Sequence, residues 1–160
     1  MIVVRKEQNV LGKITDKRFE NQASNLIEEA FLAQRKAYAP YSQFEVGAAL
    51  LTKSGRIYHG CNIENAAYSP SNCAERTAFF KAISEGEMEF AAIAIVGNAK
   101  GVPRGEGKIC APCGVCRQVM AEFCNPDSFQ IILAADVNCY EAYVLKELLP
   151  LGFVKECLDY

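Results

Sequence analysis

Phe90-Ala91-Ala92-Ile93-Ala94-Ile95-Val96 is the stretch on which the fold turns. It is the longest uninterrupted apolar run of the chain, too short for a typical helix and without the alternation of a half-exposed strand. It therefore reads as a strand buried on both faces. Such a strand needs cover on each side, and its neighbours supply it. Upstream, Cys73 to Glu85 is helical, with Ala74, Ala78, Phe79, Ala82 and Ile83 on one face and Gly86 as a C-terminal cap. Downstream, Cys113 to Phe123 forms a helix behind Pro112, a residue suited to a first turn. Phe129 to Ala135 is a second buried strand. Further out, Phe19 to Tyr38 carries Leu26, Ile27, Ala30, Phe31 and Ala33 at helical spacing, ending before Pro40 because Ala39 is pushed out of helical geometry. Phe44 to Thr52 and Arg56 to Cys61 form a hairpin around Ser54-Gly55. Tyr140 to Leu149 reads either as a helix or as a short strand leading into one that ends at Pro150. Residues 1–18 are weakly patterned and are expected to form an N-terminal arm before a single domain over 19–160. Buried strands separated by helices imply a three-layer α/β domain with an antiparallel hairpin at one side.

The composition bounds the function. A length of 160 residues suits one domain that folds without staples. The 17 basic and 19 acidic residues leave a net charge of −2, and no basic stripe argues for a nucleic-acid partner. The apolar runs fall short of the roughly 18 residues that cross a bilayer, so no membrane partner is expected. The start Met1-Ile2-Val3-Val4-Arg5 turns charged too early for a secretory signal, and the expected location is the cytoplasm, where thiols stay reduced.

That compartment changes the meaning of the 8 cysteines. A disulfide framework is not expected; clustered thiols in a reducing setting point to metal or catalysis. Cys73-Ala74-Glu75 opens one helix and Pro112-Cys113-Gly114-Val115-Cys116 opens the next. Thiolates are stabilised at helix N-termini, so two such helices side by side bring Cys73, Cys113 and Cys116 to one zinc ion. Three protein ligands leave a fourth position for water, as in catalytic sites. Glu75, two residues after a ligand, is placed to move a proton to or from that water. A Cys or His ligand followed by x-E, and later P-C-x-x-C, is the zinc deaminase signature.

With its flanking blocks the pattern becomes specific. Ala39-Pro40-Tyr41-Ser42-Gln43-Phe44-Glu45-Val46-Gly47-Ala48-Ala49-Leu50 is followed by Gly60-Cys61-Asn62-Ile63-Glu64-Asn65-Ala66-Ala67-Tyr68. Cys73-Ala74-Glu75-Arg76-Thr77-Ala78 and Pro112-Cys113-Gly114-Val115-Cys116-Arg117-Gln118 complete the series. From about Phe19 onward the chain resembles the short, three-cysteine cytidine deaminases, departing in its longer arm, its longer loop at Gly97 to Lys108, and Ala111 where serine is common. The resemblance implies a three-layer fold with a mixed five-stranded sheet flanked by helices. It implies hydrolysis of cytidine and deoxycytidine to the uridine forms with release of ammonia, in pyrimidine salvage. One zinc per subunit is implied, with Glu75 acting as base and then acid. Asn62 and Glu64 would hold the ribose hydroxyls, Phe44 would pack on the pyrimidine, and the Ala74 backbone would face its carbonyl edge. A homotetramer with shared active sites is also implied, in which Phe153 of Leu148-Leu149-Pro150-Leu151-Gly152-Phe153 reaches a neighbouring site.

Charge gives Arg76 a role. Three thiolates and a dication leave a net negative centre, a weaker Lewis acid than one with neutral ligands. Arg76, directly after Glu75, offers a permanently charged fork that compensates it, and the three-cysteine deaminases carry arginine there. Competing readings are narrower. Cys110 to Cys116 begins like an iron–sulfur motif, but the position of a fourth cysteine is Met120. Cys110-Ala111-Pro112-Cys113 leaves a redox pair open. His59 is the only histidine and reads as a strand-edge residue, while Gly97 to Lys108 lacks a phosphate-cradle motif and reads as a mobile loop. The alternatives carried forward are a deaminase of a modified cytosine nucleoside such as blasticidin S, and a non-catalytic zinc or redox module.

Overall fold

A computed structural model describes residues 2–5 and 17–158. In chain order the elements are β1 (Ile2–Arg5), α1 (Lys17–Gln34), β2 (Phe44–Thr52), β3 (Ile57–Cys61), α2 (Ala74–Ser84) and β4 (Phe90–Ala99). Then follow α3 (Gly114–Phe123), β5 (Gln130–Asp136), β6 (Cys139–Val144), α4 (Leu145–Leu148) and a 3₁₀ turn at Lys155–Leu158. The strands form one sheet in the order β1-β6-β5-β4-β2-β3, in which β4 and β5 are parallel and all other neighbours antiparallel.

The apolar run at Phe90 is the centre of this sheet, and its two-sided character explains the layers. Ala92, Ala94 and Val96 join Ala23, Leu26, Ile27 and Ala30 of α1 in one core cluster. Ile93 and Ile95 face the other way, onto Ala74, Ala78 and Phe79 of α2 and Met120 of α3. β2 and β5 alternate in the same way: Ala49 and Ile132 lie on the α1 side, Ala48 and Ile131 on the α2/α3 side. Period-two alternation thus splits one continuous apolar sequence between two cores. At Gly47 an added Cβ would stand 2.1 Å from the Ala30 carbonyl oxygen, so the absent side chain is what lets α1 lie directly on β2.

The five strands β2–β6 give the mixed sheet expected, with the β2–β3 hairpin at one edge. The sixth strand was not foreseen. Ile2–Arg5, the start of the expected arm, pairs antiparallel with β6, from Ile2 opposite Ala142 to Arg5 opposite Cys139. The remainder of the arm, residues 6–16, lies outside the described residues. α1 ends at Gln34 rather than near Ala39, because Tyr38 is drawn into a bridge with Ile63, its N–H donating to the Asn62 carbonyl at 3.0 Å. Of the two readings of Tyr140 to Leu149, strand followed by one helical turn is the one adopted. The loop after β4 is anchored rather than free. Arg104 makes a two-pronged ion pair with Glu28 of α1 (2.6 and 2.8 Å), donates to Asp136 at 2.8 Å, and stacks over Phe31.

Candidate active site

The site forms where α2 and α3 begin. α2 can start against β3 because of Gly60, where an added Cβ would meet the Ala74 carbonyl oxygen at 2.0 Å and the Ala78 amide nitrogen at 2.5 Å. Cys73 is the N-cap of α2, in extended conformation (φ −77°, ψ 157°), and Cys113 is the N-cap of α3 (φ −66°, ψ 164°). Both thiols therefore stand among the free amide groups of a helix start. The Cys113 sulfur accepts a hydrogen bond from the Cys116 N–H at 3.4 Å, and Cys116 is buried in the first turn. The three Sγ atoms lie within 4.8 Å of one another, the one such cluster of potential ligands among the described residues.

The donor set fits zinc. A Zn–S bond of about 2.3 Å in tetrahedral geometry implies sulfurs ~3.8 Å apart, and Cys73 and Cys113 are 3.8 Å apart. The cluster also shares its protons unequally. Hydrogen bonds from the Cys116 thiol, Arg76 and Cys113 hold the Cys73 thiol down at about 5, while donation to Cys73 and burial push Cys116 far above the thiol range. Arg76 Nη2 donates to Cys73 Sγ at 3.4 Å, so the proximity expected from sequence is present. Its Nε is buried without a protein partner.

Glu75 is 4% exposed. Removal from water, reinforced by the charge on Cys73, pushes its carboxyl up to about 7, where it both accepts and releases protons near neutrality. It lines a cavity of about 340 Å³ together with Phe44, Val46, Asn62, Glu64, Ala74, Arg76, Cys110 and Cys113. That volume is in the range of small-molecule sites.

The cavity gathers the expected residues from distant elements. Phe44 opens β2, Asn62 and Glu64 follow β3, and Ala74 and Glu75 begin α2. Asn62 is tied to the sheet: its Oδ1 accepts from Val46 N–H and its Nδ2 donates to the Phe44 carbonyl, both at 2.8 Å. One amide hydrogen is left for other use. Glu64 Oε2 accepts from the N–H groups of Tyr41 (2.9 Å) and Ser42 (3.2 Å), and bonds from Ser42 and Tyr41 hold its carboxyl below the usual range. Phe153 is not brought to this cavity; it is 57% exposed, beside α3, with its carbonyl accepting from Gln118.

Sequence reasoning missed the part of Cys110. It stands half-buried in the cavity wall, and at Gly97 an added Cβ would meet both the Phe44 ring (2.9 Å) and Cys110 (3.1 Å). The glycine thus lets an aromatic ring and a thiol close over β4, a juxtaposition that no local motif announces. Burial pushes the Cys110 thiol up, away from reactivity.

Comparison with known proteins agrees with this arrangement. The family model described as "Cytidine and deoxycytidylate deaminase zinc-binding region" matches residues 20–131. A cytidine deaminase of Sporosarcina psychrophila is 53% identical over 135 residues, covering 84% of this chain and 93% of that protein. The crystal structure of cytidine deaminase from Burkholderia pseudomallei superposes with a TM-score of 0.70 at 48% identity, covering 81% of this chain and 97% of that one. A blasticidin-S deaminase of Bacillus cereus is more distant, 29% identical over 116 residues, or 71% of this chain and 80% of that protein.

Proposed function

Since the chain belongs to the cytidine and deoxycytidylate deaminase family, we propose that it hydrolyses cytidine and deoxycytidine to uridine and deoxyuridine, with release of ammonia. The observation that carries this reading is a cluster of three thiols, two of which (Cys73 and Cys113) line the same cavity as the buried carboxyl of Glu75. Cys73, Cys113 and Cys116 would hold one zinc ion per subunit. When bound, zinc would supply a nucleophile at neutral pH by acidifying water.

The chain's own residues do the rest. Glu75 takes the proton released by the attacking water and delivers it to the pyrimidine N3; it then takes the second proton, from the hydroxyl added at C4, and passes it to the amine as that group leaves and the C4 carbonyl forms. A carboxyl held near neutrality by burial suits both directions of transfer. Phe44 packs on the pyrimidine and the Ala74 backbone faces its carbonyl edge. Asn62 and Glu64 take the ribose hydroxyls with the polar capacity their own contacts leave unused. Arg76 offsets the negative charge of the thiolate cluster. The exposed Phe153 completes the site of a neighbouring chain in a homotetramer. We place the enzyme in the cytoplasm, returning pyrimidine nucleosides to salvage. Among the described residues, no helix is long and apolar enough to cross a membrane.

Purified protein incubated with cytidine tests this directly, through the ultraviolet change on conversion to uridine alongside the zinc content. Turnover with zinc present is expected. Zinc retention with no turnover on cytidine or deoxycytidine would favour a non-catalytic module, and turnover confined to blasticidin S would favour the modified-nucleoside reading.

A further inference from the structure

Two consecutive side chains of α3 reach away from the cavity toward the C-terminal segment. Arg117 donates from Nε to the Pro112 carbonyl at 2.9 Å and from Nη1 to the Leu148 carbonyl at 2.6 Å. Gln118 donates from Nε2 to the Phe153 carbonyl at 2.7 Å. The turn over residues 148–153 is thus clasped at both ends by neighbours on one helix. Leu151 within it is fully exposed and has a left-handed backbone (φ 54°), a conformation that leucine rarely adopts.

The other prong of Arg117 is what gives the clasp a wider meaning. Pro112 directly precedes Cys113, and a proline has no N–H, so its carbonyl is the one backbone hydrogen-bonding group through which the residue can be tied down. A cation close to a helix start opposes the macrodipole, and the first turn of α3 has no acidic residue to offset it. The planar fork supplies the reason for its position: a rigid guanidinium spans two carbonyls from separate elements, which the point charge of lysine does with one nitrogen only.

We propose that Arg117 is a positioning residue that braces the turn bearing the Cys113 thiol against the turn bearing Phe153. A single side chain then sets both how firmly a subunit grips its own metal and how it presents Phe153. This rests on the reading that Cys113 helps to hold zinc and that the chain deaminates cytidine.

The test uses zinc-loaded wild type, Arg117→Ala, Arg117→Lys and Gln118→Ala. Zinc transfer to a chromogenic chelator is timed, and kcat and KM for cytidine are measured separately. Loss of a group that orients a metal ligand typically costs 10–100-fold in metal affinity or activity. Arg117→Ala is therefore expected to release zinc at least about tenfold faster and to raise KM. Arg117→Lys should fall between it and wild type. Gln118→Ala should raise KM while releasing zinc at the wild-type rate. Wild-type zinc release from Arg117→Ala, or equal acceleration in Gln118→Ala, overturns the brace. If Arg117→Ala does not fold, wild-type values in Arg117→Lys overturn it equally. Zinc absent from the wild type itself, or no turnover by it, would instead fail the reading beneath the proposal.

Discussion

The Nη2 of Arg76 lies 3.4 Å from the Sγ of Cys73, three residues earlier, so the cation and the sulfur it donates to belong to one turn at the start of one helix. Arg76→Gln removes the charge and leaves an amide that donates far more weakly to sulfur. We expect the fold to persist, zinc to dissociate more readily and turnover to fall, each by about 10–100-fold. Zinc content and kcat measured beside wild type check this, and unchanged values for both would remove Arg76 from the mechanism.

Glu75→Gln is nearly isosteric and leaves the three thiols in place. Zinc content should stay at the wild-type level while kcat drops by at least roughly 10²–10⁴-fold, the usual contribution of a general acid–base group. Metal loss alongside activity would instead place Glu75 among the ligands.

Cys110, Cys113 and Cys116 stand at equal spacing in sequence but not in role. Cys110 faces the cavity beside Phe44 and is outside the three-sulfur cluster. Replacing Cys113 or Cys116 by Ala should abolish zinc binding, measured by metal analysis after dialysis. Cys110→Ala should retain the metal and alter mainly KM. Zinc loss in Cys110→Ala would mean a closed, four-sulfur site and would end the hydrolytic reading.

Glycines near the site separate tight packing from open space. Gly60→Ala puts a carbon 2.0 Å from the Ala74 carbonyl oxygen, so α2 must shift and carry Cys73 with it. Overpacking of this kind costs about 1–3 kcal/mol, and a lower Tm with weakened zinc binding is expected. Gly114→Ala meets nothing within 4 Å and should be tolerated. Thermal melts of the two variants decide it; a wild-type Tm for Gly60→Ala contradicts the close approach.

Phe153→Ala should raise KM for cytidine without affecting zinc, because the side chain is exposed and away from the cavity of its own chain. Sizing chromatography should give a tetramer. A fully active monomer with wild-type KM would show that the residue serves only its own subunit.

The parts legible in the sequence were those with local signals. Phe90 to Val96 reads as a buried strand and opens β4; the strand runs on to Ala99 because Phe44 and Glu45 pair with Ala99 and Asn98, which apolar content does not report. Cys73 and Cys113 read as helix starts and are the N-caps. What escaped was non-local. β1 pairs with β6 at the far end of the chain, and a four-residue strand carries too little pattern to announce that partner. The loop after β4 looked mobile because Glu28, the residue that pins Arg104, is 76 positions away. Asn62 reads from its block as a substrate residue and by itself as a solvated strand end; neither reading reports that its amide closes onto the backbone of β2.

Cys73 and Cys113, 40 positions apart, carry the two sulfurs separated by 3.8 Å. An ion gripped by both acts as a cross-link that closes a long loop containing β4, the central strand of the sheet. The entropy such a closure removes from the unfolded chain is stabilisation that the apoprotein lacks, and binding free energy becomes folding free energy. A bound metal would therefore add to the stability of this chain as well as to its chemistry. The zinc-loaded protein should melt at a higher temperature than the metal-free one, because a single atom would serve as both cross-link and catalyst.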